Sequence, residues 1–243
     1  MVTHALAPAR LPEGRRVYAV GDVHGCADRL VRIHAAIAAD LAARPAPETV
    51  LLHLGDYVDR GPDSAGVVAL LARGPDVPVG RVVNLMGNHE QMMLAAVATA
   101  DPDATALWLH NGGQDSLRSW GVPADAPPDS WAAGLPSEHL TWLRDLAVKH
   151  VEGPYLFVHA GIRPEVPLER QSRHDMLWIR DPFLTWDEPF GPPGQPVVVV
   201  HGHTPVPDPV VRPNRIGIDT GATYGGRLTC LVLEEDCLGF IFA

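Results

Sequence analysis

Apolar and polar positions follow one another along this chain in a repeated order. Apolar runs that predict β-strands cover 15–20, 50–54 and 81–86. Each run ends in a short polar segment that contains glycine, and apolar residues at helical spacing then cover 27–44, 64–73 and 91–100. Strand, polar loop and helix in three successive copies are typical of an α/β domain, in which ligands bind at the carboxyl ends of the strands.

The remainder of the chain continues this domain after an interruption. Residues 101–150 are more polar and predict a helical insertion over one edge of the core. Four further strands are predicted beyond it, at 155–158, 197–200, 215–218 and 228–233. A Pro- and Gly-rich loop at 181–196 is too long to be a simple connection. With residues 1–14 as a loose leader, we expect a single domain over 15–243.

Composition and charge narrow the classes of partner. Hydrophobic residues make up 46% of the chain and charged residues 20%, which is enough for a sizeable core and unlike a disordered chain. The net charge of −10 argues against nucleic acid or an anionic membrane as the main partner. No apolar run approaches the roughly 20 residues of a membrane span. The three cysteines do not indicate a disulfide framework, and we expect a location in the reduced cytoplasm.

Side chains that can bind metal follow five of the apolar runs. They are Asp22 and His24, Asp56 and Asp59, Asn88 and His89, His159, and His201 with His203. Five such ends at one topological position predict a shared site. Carboxylate, imidazole and amide ligands without cysteine suit Mn, Fe or Zn better than Ca. A site for two metals needs a bridging carboxylate, and Asp56 is the natural candidate; such metals lower the pKa of a bound water and clamp phosphoryl oxygens.

A local explanation exists for the most charged of these segments, at 55–61. Its aspartates could form a turn that caps a helix starting near Asp63, with Arg60 as their ion-pair partner. This alternative explains one loop, but it does not explain why the other strands also end in metal-binding side chains.

Three segments resemble the signature motifs of a known family. They are GDVHG at 21–25, GDYVDRG at 55–61 and GNHE at 87–90. The order and spacing resemble the phosphoprotein phosphatases, which belong to the calcineurin-like metallophosphoesterases, and the resemblance covers about 17–233. It implies a fold of two mixed β-sheets packed face to face with helices outside, and hydrolysis of phosphomonoesters by direct attack of metal-bound hydroxide.

The resemblance also implies a ligand set for two divalent metal ions. Asp22, His24 and Asp56 would hold one ion, and Asp56, Asn88, His159 and His203 would hold the other. His201 and His203 would point to one side of an extended segment, but the family places its last histidine before Thr-Pro, which selects His203. Pro205 stands where many nuclease-like relatives carry a further histidine, and this favours the phosphatase branch.

By the same resemblance, His89 is the general acid and Asp59 its partner. A nearby carboxylate favours the imidazolium and keeps a proton available near neutral pH; the alternative is that His89 caps its own helix. Arg60, Arg180 and Asn88 would contact the substrate phosphate, since arginine makes bidentate contacts to phosphate oxygens. Arg180 could instead form a surface ion pair with Asp181 or Asp187.

Four other residues carry weaker signals. Asn111 lies in a loop that resembles a segment near the substrate in bacterial relatives, and Asp219 could hold an arginine or a histidine in place. Glu90 is favourable at a helix start in any case. Cys26 has no cysteine or basic residue beside it in the sequence that would activate it, so a buried small residue is expected.

Three functions are compatible with the resemblance. The Asp-Arg-Gly and Asn-His-Glu forms of the motifs suggest phosphoserine or phosphothreonine in proteins as substrate. The alternative is a symmetrical dinucleoside tetraphosphate hydrolase, a branch that tends to carry Gln at position 24 and to differ at 59 and 90. The third is an inactive scaffold that binds phosphorylated partners, which should have lost a ligand or the acid. A small phosphate ester or a phosphorylated protein is thus the expected partner, and manganese the first choice of metal.

Overall fold

Two β-sheets share one core in the computed structural model, which describes residues 5–123 and 125–243. The first sheet has the strand order β1-β11-β10-β2-β3-β4, and the second has the order β5-β6-β7-β9-β8. Parallel pairing joins β2, β3 and β4 in the first sheet and β6, β7 and β9 in the second. The other pairs are antiparallel, so both sheets are mixed. The predicted α/β class, with two mixed sheets flanked by helices, is confirmed.

The strands and helices have the following bounds. The strands are β1 (Ala5–Leu6), β2 (Arg15–Val20), β3 (Glu48–His53), β4 (Arg81–Asn84), β5 (Lys149–Glu152), β6 (Tyr155–Val158), β7 (Val198–His201), β8 (Val210–Val211), β9 (Arg215–Gly217), β10 (Thr229–Glu234) and β11 (Cys237–Phe242). The α-helices are α1 (Ala27–Ala43), α2 (Ser64–Arg73), α3 (Asn88–Thr99), α4 (Pro102–Trp108), α5 (Gln114–Ser119), α6 (Trp131–Gly134), α7 (Ser137–Arg144) and α8 (Arg173–Trp178).

The side chains of β2 alternate between two layers of the core. Val17 and Ala19 pack in the cluster that lies between the sheets, together with Phe157 from the second sheet. Tyr18 and Val20 point the other way, into the cluster that contains the apolar face of α1. Because successive side chains of a strand point to opposite faces, a strand buried on both faces reads as a continuous apolar run.

The predicted loose leader is wrong for the residues that the structure describes, 5–14. β1 pairs antiparallel with β11, and Leu11 is buried between the sheets. The Ala9 carbonyl accepts a hydrogen bond from the Tyr155 hydroxyl at 2.6 Å. Residues 1–4 lie outside the described part of the chain. A strand of two residues gives no periodicity, so the sequence did not indicate β1.

The predicted insertion at 101–150 is mainly helical and ends in β5. Its α4 packs along α3 and places Trp108 in the core. The loop at 181–196 is anchored by the stacked rings of Phe183 and Phe190, whose centroids are 5.4 Å apart. The longest α-helix, α1, has 17 residues, and no helix in the described ranges has both the length and the apolar character that a membrane crossing requires.

A buried pair of histidines joins α1 to the first sheet. His34 Nε2 and His53 Nε2 are 2.9 Å apart, and His53 Nδ1 is 2.8 Å from Asn84 Oδ1. The amide oxygen of Asn84 only accepts, so His53 carries its proton on Nδ1 and accepts the proton of His34 at Nε2. Burial lowers the pKa of His34 to about 4 and that of His53 to about 3, so both rings are neutral in the fold.

We expect this pair to make unfolding easier in mild acid. Histidine in the unfolded chain has a pKa of about 6.5. Below that pH the two histidines bind protons in the unfolded chain but not in the folded chain, so the free energy of unfolding falls as the pH drops towards the pKa values of the folded chain. Each histidine lowers the free energy of unfolding by about 2 kcal/mol between pH 7 and pH 5. Urea unfolding at both pH values measures this difference. The loss should be about 2 kcal/mol smaller in His34→Leu, and an equal loss in both proteins would contradict the assignment.

Candidate active site

The loops that follow β2, β3, β4, β6 and β7 meet at one edge of the two sheets. Parallel pairing sends the carboxyl ends of β2, β3 and β4 in one direction, and the same holds for β6 and β7. Side chains more than 100 positions apart in the sequence therefore come into contact. The structure brings together the residues that the sequence predicts as metal ligands: Asp22, His24, Asp56, Asn88, His159 and His203.

Four side-chain atoms form the first cluster of this site. Asn88 Oδ1 is 2.9 Å from His159 Nε2 and 2.9 Å from His203 Nδ1. Asp56 Oδ1 is 3.3 Å from the same nitrogen of His159. Asp56, His159 and His203 could together hold a metal ion, and the amide oxygen of Asn88 adds a fourth donor.

A second cluster lies on the other side of Asp56. Its Oδ2 atom is 3.4 Å from His24 Nε2 and 3.9 Å from His89 Nε2, and these three residues could also hold a metal ion. The carboxylate of Asp22 accepts the backbone N–H of His203 at 3.0 Å, so Asp22 lies in the same site. Asp56 thus gives one oxygen to each cluster, which is the arrangement that a bridging carboxylate needs.

Backbone carbonyls fix the proton positions of two histidines in the clusters. His24 Nδ1 is 2.8 Å from Val58 O, and His159 Nδ1 is 3.0 Å from Leu54 O. A carbonyl only accepts, so each ring carries a proton on Nδ1 and turns Nε2 into the site. This is the usual orientation of metal-binding histidines. Arg60 Nη1 donates to His24 Nε2 at 2.9 Å, and a metal at that nitrogen would exclude this hydrogen bond because both use the same lone pair.

Buried negative charge favours cations at this site. Burial and the neighbouring Asp219 raise the pKa of Asp22, and burial together with the charge of Asp56 raises the pKa of Asp219 to about 6. Burial disfavours the imidazolium of His159, but the carboxylates of Asp56 and Asp22 outweigh it and raise its pKa to about 10. Divalent cations would relieve the repulsion between these acids. The donor set of carboxylate, imidazole and amide therefore fits the metal ions that the sequence predicts.

Glu90 shapes the loop that carries Asp56. Its carboxylate accepts backbone N–H groups of Gly87 (2.8 Å), Asp56 (2.9 Å) and Tyr57 (2.7 Å). Burial and the charge of Asp56 raise the pKa of Glu90 to about 7. The sequence predicts only the contact with Gly87, which an acid at a helix start commonly makes. The contacts with Asp56 and Tyr57 join α3 to the loop after β3 and were not predicted.

Several backbone positions in this site have left-handed conformations. Non-glycine residues with positive φ include His24 (43°), Asp56 (52°), Asp59 (73°), Arg60 (68°) and His203 (66°). Such conformations cost about 1–3 kcal/mol each and persist only where surrounding contacts enforce them. Here the network of Glu90, with the backbone pairing of the loops after β2 and β3, supplies such contacts.

His89 lies opposite His24 and is held by Asp59. His89 Nδ1 is 2.6 Å from Asp59 Oδ2, so the ring bonds to the loop after β3 and not to its own helix. Trp108 Nε1 donates to the same carboxylate at 2.9 and 3.0 Å, and the Ser116 hydroxyl donates to it at 2.7 Å. Burial raises the pKa of Asp59, although these hydrogen bonds act to lower it. The arrangement directs His89 Nε2 towards Asp56.

A cavity of about 150 Å³ opens over the clusters. It is lined by Asp56, Arg60, Asn88, His89, Asn111, Trp178, Arg180, His203, Pro205 and Tyr224. Arg180 has no ion pair with Asp181 or Asp187 in the described structure, and Asp187 instead pairs with Arg212 at 2.7 Å. Both arginines that the sequence predicts for phosphate therefore line the cavity. His201 is turned away, against Phe183, with ring centroids 4.9 Å apart.

Sequence reasoning missed four residues of this region. Trp108 and Ser116 lie in the helical segment and donate to Asp59, and no motif at either residue indicates this contact. Trp178 and Tyr224 line the cavity, and Tyr224 is 63% exposed with the Arg60 guanidinium 5.7 Å from its ring centroid. A usable signal for Tyr224 was its place in a short turn between Gly221 and Gly225, where an exposed aromatic has no role in a core.

Comparison with known proteins shows which proteins this chain resembles. A family model described as "Calcineurin-like phosphoesterase" matches residues 15–231. "Serine/threonine-protein phosphatase 1" of Salmonella typhimurium is 31% identical over 88% of this chain and 90% of its own length. A symmetrical bis(5'-nucleosyl)-tetraphosphatase of Nitrosomonas europaea is 30% identical over 90% of this chain and 95% of its own length. A crystal structure titled as a putative diadenosine tetraphosphatase shares the fold with a TM-score of 0.60, at 24% identity over 98% of both chains.

Proposed function

We propose a function from one premise: this chain belongs to the calcineurin-like phosphoesterase family and is a metallophosphoesterase. We infer that it hydrolyses phosphomonoesters, with phosphoserine and phosphothreonine of proteins as substrates. The observation that carries the inference is the position of Asp56 between two clusters of ligand atoms, at the floor of a cavity lined by Arg60 and Arg180.

Two divalent ions are proposed for these clusters, manganese first, with iron or zinc as the other choices that the donor atoms suit. Asp22, His24 and Asp56 would hold one, and Asp56, Asn88, His159 and His203 the other. When bound, the ions supply a water of lowered pKa and positive charge beside the phosphoryl group.

The protein's own residues supply binding and proton transfer. Arg60, Arg180 and the Asn88 amide would bind the phosphoryl oxygens, since guanidinium groups match them bidentately. His89 would give the proton on Nε2 to the departing oxygen of the ester. Asp59 accepts from Nδ1 at 2.6 Å, so it orients the ring.

The size of the cavity suits a phosphorylated side chain. A volume of about 150 Å³ holds one phosphoryl group and a short alkyl chain, and the rest of a protein substrate would lie on the surface around it. The full-length similarity to the Salmonella phosphatase supports the same choice.

One feature supports a symmetrical dinucleoside tetraphosphate as the second candidate substrate. Tyr224 is exposed at the mouth of the cavity beside Arg60, and an aromatic ring there could stack on a nucleobase, worth about 1–3 kcal/mol. The similarity to the Nitrosomonas enzyme extends over the whole chain as well.

Parallel turnover of a phosphoserine peptide and diadenosine tetraphosphate with manganese tests the choice. We expect the larger kcat/KM for the peptide, with little change in Tyr224→Leu. Faster cleavage of the tetraphosphate, with a loss of about tenfold or more in Tyr224→Leu, would assign the second function. Chelation of the metal should abolish both reactions.

Arg180→Ala should weaken phosphate binding without affecting metal content. Loss of hydrogen bonds to a charged phosphate costs about 1.5–3 kcal/mol, which corresponds to a fall of about 10- to 100-fold in kcat/KM, expressed largely in KM. Arg118→Ala is the matched control, because Arg118 is exposed and pairs with Asp115 at 2.6 Å. Equal kinetics for Arg180→Ala and the control would exclude Arg180 from substrate binding.

A further inference from the structure

Two arginines are buried in the part of the chain that the structure describes, and their surroundings differ. Arg16 is 2% exposed and lies 2.6 Å from a Glu234 oxygen and 3.5 Å from an Asp40 oxygen. Arg215 on β9 is 6% exposed, and no carboxylate of the described residues lies within 4.0 Å of it. A buried charge without a counter-charge costs several kcal/mol. The surroundings of Arg215 therefore call for an anion.

The guanidinium of Arg215 borders a cavity of about 120 Å³, which shares no lining residue with the candidate active site. Three residues of its lining, Arg215, Thr204 and His201, each have one buried polar atom with no hydrogen-bond partner among the described residues: Nε, Oγ1 and Nε2, respectively. Val206 and Val210 form apolar walls. Arg215 is otherwise held by one hydrogen bond, from Nη2 to Leu184 O at 2.9 Å.

The three polar atoms define what a ligand must offer. Arg215 Nε can only donate, so it requires an acceptor, and the buried guanidinium charge favours an acceptor that carries negative charge. His201 Nδ1 is 3.0 Å from Gly202 O, and this carbonyl only accepts. The proton is therefore on Nδ1, and Nε2 requires a donor. The Thr204 hydroxyl can act in either way.

We propose that this cavity binds a small oxyanion that keeps one protonated oxygen, hydrogenphosphate or hydrogencarbonate. Its charged oxygens accept from Arg215 and Thr204, and its O–H group donates to His201. His201 and Thr204 flank the segment that carries His203, so a bound ion stabilises the strand end that also serves the metal clusters.

Gly217 provides a variant that changes the cavity and leaves Arg215 in place. A Cβ atom at this position would lie 3.1 Å from His201 Nε2, so Gly217→Ala crowds the acceptor. Arg215→Met removes the charge but keeps much of the side-chain volume, and replacement of an uncompensated buried charge by an apolar side chain is neutral or stabilising. Neither residue lines the candidate active site.

Thermal unfolding of the metal-loaded wild type, Arg215→Met and Gly217→Ala, with and without inorganic phosphate, tests the proposal. Phosphate bound in the candidate active site raises the melting temperature of all three proteins alike. We expect saturating phosphate to raise that of the wild type by about 5 °C more than that of either variant. Without added anion, Arg215→Met should melt at or above the wild-type temperature.

Two other anions identify the ligand chemistry. Sulfate carries no proton at neutral pH, so it should give the wild type no excess shift over the variants. An excess shift with hydrogencarbonate but not phosphate would support the site and select the smaller ion. Equal shifts in the wild type and Gly217→Ala with every anion would overturn the proposal, because the cavity would then hold water only. Phosphopeptide turnover in phosphate-free buffer should be unchanged in both variants, and this separates the result from the proposed function.

Discussion

Replacement of Asp56 by Asn is expected to remove both metal binding and phosphoesterase activity. Asp56 Oδ1 faces His159 and Asp56 Oδ2 faces His24, so one substitution weakens both clusters. A fall in kcat/KM of about 1,000-fold or more is expected, because metal ions supply several kcal/mol of charge stabilisation and each 1.36 kcal/mol is a factor of ten in rate. Elemental analysis of the purified variant and its turnover of p-nitrophenyl phosphate with manganese measure the two losses.

Asparagine fills the same volume, so the variant should fold. It also removes the charge that contributes to the raised pKa of Asp219, which is about 6 in the wild type. Asp187→Asn is the matched control, since Asp187 forms an exposed ion pair with Arg212. If the Asp56→Asn variant retained two metal ions per chain and its turnover, the bridging role would be wrong.

His89→Asn is expected to keep the metal ions and lose turnover. General acid catalysis contributes about 10²- to 10⁴-fold, and this is the expected loss in kcat for phosphoserine, whose alkoxide leaving group needs a proton. The loss should be smaller for p-nitrophenyl phosphate, because p-nitrophenolate leaves without protonation. The ratio of the two losses is a readout that simple misfolding would not produce.

The alternative for His89 is direct metal binding. Its Nε2 lies 3.9 Å from Asp56 Oδ2, within a group of three residues that could hold an ion. Loss of one metal ion in His89→Asn, with equal losses for the two substrates, would assign that role. His150→Asn is the control, since His150 lies at the edge of the second sheet on β5.

The site was predictable from the sequence wherever a strand leads directly into a functional loop. β2 was predicted with its observed bounds, and the predicted metal ligands after β2, β3, β4, β6 and β7 lie close together. This succeeds because strands buried on both faces are visible as apolar runs, and parallel pairing then places their carboxyl ends together. The three linked motifs that indicated the family also lie in loops that follow these strands.

Contacts from outside the strand ends were not predictable. The pairing of Asp59 with Trp108 and Ser116 depends on how α4 and α5 pack, and nothing local to these residues reports it. β1 was missed because two residues give no periodicity, and α8 because its six residues are too few for a helical pattern. The strand expected to reach Met86 ends at Asn84, since Leu85 instead bridges to Ala147.

The cavity rim and the predicted metal ligands come from different parts of the chain. Asn111, Arg180 and Tyr224 reach the rim from the helical segment, the loop after α8 and the turn before β10. Substitutions in these three segments leave the predicted metal ligands unchanged. Lineages that inherit one hydrolytic centre can therefore diverge in what they cleave, and a library confined to Asn111 and Tyr224 should yield new substrate preferences while Arg180 stays in place.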